Sequence, residues 1–320
     1  MSAGHVPVML EEVMAVLQPR DDAIYVDGTF GGGGYSAALL DRAKCRVFGI
    51  DRDADAIARG RAMADRYDGR LTLIHGRFSD MDALLGAQGV EKADGVALDI
   101  GVSSFQIDQG ERGFSFGADG PLDMRMDTSQ GATAADLVNT LPESELIRIL
   151  ASYGEENRAK AVARAIVAAR PITRTGELAG VAERVLGRRQ KIHPATRTFQ
   201  ALRIAVNDEL GELERGLEAA ERVLNPEGRL AVVAFHSLED RIVKRFLAER
   251  SGRMGQGSRH LPQRPAGQPP TFDTLKTGPQ TPNEDEIHAN SRSRSARLRA
   301  AVRNLAPAWK PTAPIRGEYV

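Results

Sequence analysis

The 320-residue chain has one cysteine, Cys45, one tryptophan and only 5% aromatic residues. A single cysteine permits no internal disulfide and no cysteine-based zinc site, as expected in a reducing compartment. No apolar run approaches the roughly 20 residues of a membrane span. The N-terminus also lacks the apolar stretch of a secretion signal. A cytoplasmic protein with no membrane partner is expected. Net charge is missing too, because 43 Lys and Arg balance 43 Asp and Glu. What is present is ordinary globular usage, 42% hydrophobic and 27% charged, which excludes a wholly disordered chain. At about 150 residues per domain there is room for two domains, and for a core that needs no covalent staple.

The zero net charge hides an uneven distribution. From Arg241 to Val320 there are 15 Lys and Arg against 6 Asp and Glu, a net of +9, so residues 1–240 carry −9. Such asymmetry points to a polyanionic partner at the basic end, or to a solvated basic tail.

The first hundred residues alternate apolar runs with helical patterns. Strands are expected at 23–27, 46–51, 71–75 and 95–100, with helices from Ser36 to Arg42 and from about Ala54 to Tyr67. Apolar strands separated by helices imply βαβ units and a parallel sheet covered on both faces. The next strand pattern, 229–235, comes about 130 residues later, whereas a βαβ crossover needs roughly 30. The surplus is helical in pattern, over Glu143–Tyr153, Asn157–Ala169, Thr175–Arg188 and Pro194–Leu224. The fold expected is α/β and Rossmann-like, with a mainly parallel sheet interrupted by an inserted all-α domain. Its bounds would be 1–108, 109–205 for the insert, and 206–320. The stretch 252–282 is rich in Pro, Gly and Gln, and a mobile linker is expected there.

Residues Tyr25 to Ser36 read as a strand, a glycine-rich turn and a helix start. Glycines let a backbone approach a ligand at the carboxyl end of a strand, where open α/β sheets bind ligands. Asp51 ends the second strand, where a carboxylate can accept from both hydroxyls of a ribose. The pair points to a nucleoside-containing cofactor, against the plainer reading of a tight turn without a ligand. No Gly-Lys-Ser/Thr follows, which excludes a phosphate-binding P-loop. NAD stays open, although Asp27 before the turn suits a cationic amino-acid moiety better than a pyrophosphate. Phe78 and Asp99 fall at the same sheet edge, where a ring can pack on adenine and a carboxylate can accept from an amine. Taken alone, each fits a plainer role better, Phe78 as a core side chain and Asp99 as a cap of the next turn.

A loop dense in Gly, Asp, Arg and Phe follows Asp99: Asp99-Ile100-Gly101-Val102-Ser103-Ser104-Phe105-Gln106, then Arg112 to Phe116 and Asp119 to Asp127. With Val26-Asp27-Gly28-Thr29-Phe30-Gly31, His5 to Leu10, Tyr153-Gly154-Glu155-Glu156, His193 to Arg203, Phe235 to Arg241 and Asn290 to Arg299, it resembles the MraW/RsmH family. These are bacterial 16S ribosomal RNA cytosine-N4 methyltransferases that use S-adenosylmethionine. The resemblance runs from about residue 5 to 303. It implies a class I methyltransferase sheet with a helical insertion. It also implies cofactor contacts at Gly33, Gly34, Tyr35, Asp51, Phe78, Asp99 and Gln106, and a partner in 16S rRNA within the small ribosomal subunit. A homodimer is left open. Two positions depart from the family pattern: Tyr35 replaces a histidine, and Phe105 stands where proline is common. Thr29 stands where many methyltransferases outside this family place a glycine.

Cytosine N4 is a poor nucleophile, so acceptors that favour a pyramidal amine and take its proton would help, beside the roughly 7–11 kcal/mol that alignment can supply. Asp99, Ser103 and Ser104 are candidates, with His236 as a further one. His236 could equally be a satisfied residue ahead of a helix capped by Ser237 and Asp240. Arg188, Arg189, Lys191, Arg197 and Arg203, with no acidic residue from 188 to 207, and Arg292, Arg294, Arg297 and Arg299 suggest an RNA track, or an exposed basic face. Phe105, Phe114 and Phe116 are candidates to stack on a base taken out of its helix. Asp119, Asp123 and Asp127 have Arg112 and Arg125 as ion-pair partners, so no metal site is expected. Two other classes stay open: a non-catalytic RNA-binding or ribosome assembly factor, and an NAD-dependent oxidoreductase.

Overall fold

A computed structural model describes residues 7–187, 192–253, 268–275 and 278–310. The chain forms two compact units, one from the segments up to Gly101 and from Leu210 on, the other over Val102–Glu209. The helical unit thus begins before residue 109 and ends beyond 205.

In chain order the first unit holds α1 (Leu10–Leu17), β1 (Ile24–Asp27), α2 (Gly34–Arg42), β2 (Arg46–Asp51), α3 (Ala54–Arg66), β3 (Leu71–His75), α4 (Met81–Gly86) and β4 (Ala93–Asp99). The second unit holds α5 (Ser104–Asp108), α6 (Ala134–Thr140), α7 (Glu143–Gly154), α8 (Ala159–Ala168), α9 (Thr175–Leu186) and α10 (Ala195–Asn207). The chain then continues as α11 (Glu209–Val223), β5 (Leu224–Ala234), α12 (Ser237–Arg250), β6 (Phe272–Thr274), α13 (Glu284–Ala289) and β7 (Arg297–Arg303).

The sheet order is β3-β2-β1-β4-β5-β7-β6. β1 to β5 run parallel, while β7 pairs antiparallel with β5 and with β6. The central strands are apolar over their middle residues because both faces are covered there. Val26, Phe48, Val96, Leu98, Leu230 and Val232 pack with Leu213 and Leu217 of α11 and with Val243 and Phe246 of α12. The alternate residues Tyr25, Val47, Ala97, Ala231 and Val233 pack on the other face with Met14 of α1 and Leu39 of α2, and Cys45 is buried there. The parallel order puts Asp27, Asp51 and Asp99 at the carboxyl ends of β1, β2 and β4, along one edge.

Three expectations change. The helical pattern 194–224 is two helices, because Asp208 takes a left-handed conformation (φ 49°) that ends α10. The basic run 297–303 is a strand in the sheet, with Leu298, Ala301 and Arg303 buried. Within the stretch expected to be a mobile linker, Phe272–Thr274 pairs with β7, while most of the remainder lies outside the described residues.

Candidate active site

The glycine loop after β1 is fastened at both sides before any ligand is considered. Gly28 N–H donates to Ala97 O and Phe30 N–H to Ile50 O, each at 2.9 Å. Thr29, where many methyltransferases outside the family place a glycine, accepts the Asp99 N–H on its hydroxyl at 2.7 Å and so ties the loop to β4. The Phe30 ring fills the space that side chains at Gly33, Gly49 and Gly60 would need. Gly33 takes φ 74°, so it is glycine for both conformation and room.

Asp27 is buried, and its Oδ2 accepts from the Ser36 hydroxyl at 2.7 Å and from Ser36 N–H at 3.2 Å. Burial pushes its carboxyl up to about 6, against the lowering effect of the Ser36 and Thr29 donors. Asp51 accepts from Gly31 N–H at 2.7 Å and Asp53 N–H at 2.8 Å. Burial raises its carboxyl as well, opposed by those two donors. Asp99 differs. Its Oδ1 is covered and has no hydrogen-bond partner. Burial, reinforced by the carboxylates of Asp27, Glu239 and Glu286, pushes it up to about 8.

Phe78 opens a 3-10 turn directly after β3. Tyr35 is buried, and its hydroxyl donates to Val8 O, so the phenol anchors the N-terminal segment. A side chain on Gly34 would collide with Pro7 of that segment. Glu286 holds the next residue by accepting Met9 N–H at 2.8 Å. The Tyr35 phenol and the space beside the Gly34 Cα are therefore taken up within the protein, which leaves main-chain groups for a ligand.

His236 is the N-cap of α12. Its Nδ1 accepts from Glu239 N–H at 3.4 Å, while Glu239 Oε2 accepts from Phe235 N–H at 2.8 Å and His236 N–H at 3.2 Å. His236 Nε2 lies 3.0 Å from Glu239 Oε1, without hydrogen-bond alignment. The capping pair is thus His236 and Glu239, not Ser237 and Asp240. Asp240 instead takes a two-bonded ion pair from Arg299, at 2.6 and 3.0 Å.

In the second unit, Ser103 caps α5. Its Oγ accepts Gln106 N–H at 3.3 Å, and Gln106 Oε1 accepts Ser103 N–H at 3.1 Å, with Ser104 opening the helix. The buried Gln106 therefore has its amide oxygen engaged within its own turn. Of the three phenylalanines, Phe105 is exposed and Phe114 is buried. Phe116 stacks on His193 at 4.3 Å and meets Phe199 edge-on at 5.1 Å. Phe114 is buried and Phe116 packs against two rings of this unit, whereas Phe105 is exposed. Asp123 pairs with Arg125 through two bonds (2.8 and 2.9 Å), Asp119 pairs with Arg174, and Asp127 accepts from Ser129 and Gln130.

The expected cations separate into two groups. Arg203 is clamped to Glu209 by two bonds of 2.7 Å, with side-chain exposures of 16% and 5%. Arg299 is held by Asp240. These two are ion pairs within the protein, with acidic partners that lie outside the basic runs in sequence. Arg297 is exposed and lies 3.6 Å from Asp240. Arg292 and Arg294 are exposed on the turn Ser291–Ser295, and Arg197 is partly exposed on α10. Arg188, Arg189 and Lys191 lie outside the described residues. Sequence reasoning passed over Glu239 and Glu286. Glu239 carries a signal, three residues after its cap partner, whereas Glu286 carries none, being 277 positions from the amide it holds.

A glycine loop after β1, carboxylates ending β1, β2 and β4, and an antiparallel last pair beside β5 define a class I methyltransferase. Residues 2–304 match the MraW methylase family, and the chain belongs to that family. It is 60% identical over 311 residues to ribosomal RNA small subunit methyltransferase H of Paramagnetospirillum magneticum, covering 96% of this chain and 98% of the relative. It is 59% identical over 312 residues to the protein of the same name from Parvibaculum lavamentivorans, covering 96% and 91%. A crystal structure of an rRNA methylase from Streptococcus thermophilus aligns with 12% identity and a TM-score of 0.39, covering 92% and 93%. That likeness is too slight to carry an inference.

The cofactor of such an enzyme is S-adenosylmethionine, and the residues present fit it. Asp51 has acceptor capacity left at the end of β2, Phe78 supplies a ring at the end of β3, and the covered Asp99 oxygen calls for a donor or a cation.

Proposed function

We propose that the protein transfers a methyl group from S-adenosylmethionine to N4 of a cytosine in the 16S rRNA of the small ribosomal subunit. Asp51 would receive the ribose hydroxyls and Phe78 would pack on the adenine. The main chain of Gly33, Gly34 and Tyr35, held from behind by Asp27 and Pro7, would line the methionine end. The cofactor supplies an already activated methyl on a positively charged sulfur. Transfer to N4 would exchange the carbon–sulfur bond for a carbon–nitrogen bond and leave one proton of the amine for a residue of this chain to accept.

Asp99 is the group we assign to that proton. The observation that carries the assignment is its buried, unpartnered Oδ1. Burial lifts this carboxyl from the ordinary 3.8 to about 8, which brings its proton exchange into the neutral range. Arg292, Arg294 and Arg197 would contact phosphates, and the base would leave its stack to react. The names of the relatives support the substrate, and the family supports the reaction type.

The test is turnover on isolated small subunits with Asp99→Asn. A fall in kcat at saturating cofactor by about a hundred-fold or more, with the cofactor still bound, supports the assignment. Undiminished kcat removes Asp99 from proton transfer.

A further inference from the structure

Phe78 owes its place to α11, a helix with no assigned part in the site. Glu212 of α11 is 1% exposed. Its Oε1 accepts Ser79 N–H and its Oε2 accepts the Ser79 hydroxyl, each at 3.1 Å. Arg77 at 3.8 Å and Arg215 at 3.5 Å balance the charge. Glu212 therefore grips the residue that directly follows Phe78. Four positions later and on the same helix face is Gly216. A Cβ there would lie 2.2 Å from Phe78 Cε2 and 2.3 Å from Cδ2, so the ring rests on bare backbone. On β1's side, a Cβ on Gly28 would stand 3.1 Å from Phe78 Cβ. The phenylalanine is seated between two glycines and pinned through its neighbour.

A buried carboxylate is an expensive way to fill a helix face. Taking it out of water costs several kcal/mol, and an apolar residue of similar volume is often neutral or stabilising in its place. Stability alone does not account for Glu212, whereas a requirement to fix the turn at Phe78 does.

We propose that Glu212 and Gly216 are positioning residues that set the plane of the Phe78 ring, and through it the affinity for the adenosyl part of the cofactor. This rests on the reading of Phe78 as the adenine contact. Neither residue touches the cofactor. A methyl at position 216 would push the ring out of its seat. Loss of the 212 carboxylate would release Ser79 and with it the turn.

The experiment is a double-mutant cycle read by calorimetric titration with S-adenosylmethionine and by turnover on small subunits. Gly216→Ala should raise the cofactor Kd about ten-fold, the worth of a well-placed aromatic contact, while kcat at saturating cofactor stays within about two-fold. Phe78→Ala should raise Kd similarly, and adding Gly216→Ala to it should cost nothing more, because the methyl then enters vacated space. Glu212→Ala should follow Gly216→Ala, and Glu212→Gln, which keeps an acceptor for Ser79 N–H, should recover most of the affinity. A purely structural role would lower the melting temperature without moving Kd, and that result overturns the proposal. So does an equal penalty from Gly216→Ala with and without the Phe78 ring. Unchanged cofactor affinity in Phe78→Ala overturns the adenine contact and this proposal together. Loss of affinity in Phe78→Ala alone overturns only the roles of Glu212 and Gly216. If Gly216→Ala does not fold, the Glu212→Ala and Glu212→Gln pair decides by the same readout.

Discussion

The Asp27 carboxylate accepts both the amide and the hydroxyl of Ser36, at 3.2 and 2.7 Å, and so joins the end of β1 to the first turn of α2 across the glycine loop. The loop is held shut by a buried acid. Asp27→Asn keeps the volume, but with its carbonyl on the two Ser36 donors it turns an NH2 toward the Thr29 N–H that Asp27 Oδ1 accepts. It should destabilise the protein by about 1–3 kcal/mol, the cost of a buried donor left unpaired. Ser36→Ala, which removes the donor instead, should cost less. Thermal unfolding of the two variants checks the order, and equal stability of Asp27→Asn and the parent would contradict it.

The pH dependence has a definite sign. Asp27 and Asp99 have folded values of about 6 and about 8, above the ordinary 3.8. Between 3.8 and those values the folded protein holds protons that the unfolded chain has released. Stability is then fully present below about pH 4 and is lost as pH rises, through about 6 for Asp27 and about 8 for Asp99. The ligand-free protein should melt lower at pH 8 than at pH 6, and Asp99→Asn should flatten that difference. A cationic cofactor favours the carboxylate form, so binding at pH 7 should release protons. Titration calorimetry in buffers of unlike ionisation heat measures this, and proton uptake would refute it.

His236 has one ring nitrogen on the helix N–H of Glu239 and the other against the Glu239 carboxylate. Nδ1 is engaged in the cap and Nε2 faces a carboxylate, so capping is the role the geometry favours. His236→Asn supplies a good cap and should melt within about 1 kcal/mol of the parent, with turnover down less than ten-fold; His236→Ala should be the less stable of the two. A loss of turnover beyond a hundred-fold in a well-folded His236→Asn would return the imidazole to the chemistry.

Arg203 and Arg294 should behave as opposites. Removing Arg203 leaves Glu209 as a nearly buried unpaired charge, so Arg203→Ala should cost about 3–5 kcal/mol of stability. Arg294 is exposed on the turn Ser291–Ser295. Its loss should leave the melting temperature alone and reduce the salt dependence of RNA affinity by about one phosphate contact. Binding isotherms at several salt concentrations, beside melting curves, separate the two.

The parallel half of the sheet was legible because doubly covered strands are written as unbroken apolar runs. β7 was not. Its arginines drew it toward RNA, and its buried positions are only Leu298, Ala301 and Arg303. The break at Asp208 escaped because a left-handed residue other than glycine leaves no mark on helical periodicity. In the site, Asp27, Asp51 and Asp99 could be read from their places at strand ends. Glu212 and Glu286 could not, since each meets its partner across 133 and 277 positions of chain. The family resemblance named cofactor positions, and the structure adds that Tyr35 and Gly34 spend their side-chain space on the N-terminal segment.

The central claim is that this chain methylates the exocyclic amine of a cytosine in small-subunit RNA, with Asp99 taking the proton. Small subunits lacking the modification, incubated with the protein and methyl-labelled S-adenosylmethionine and digested to nucleosides, test it by mass spectrometry. The account predicts label in N4-methylated cytidine with the parent protein and almost none with Asp99→Asn under saturating cofactor. Label in another nucleoside, or none in any form of the RNA with a cofactor-bound protein, would contradict it.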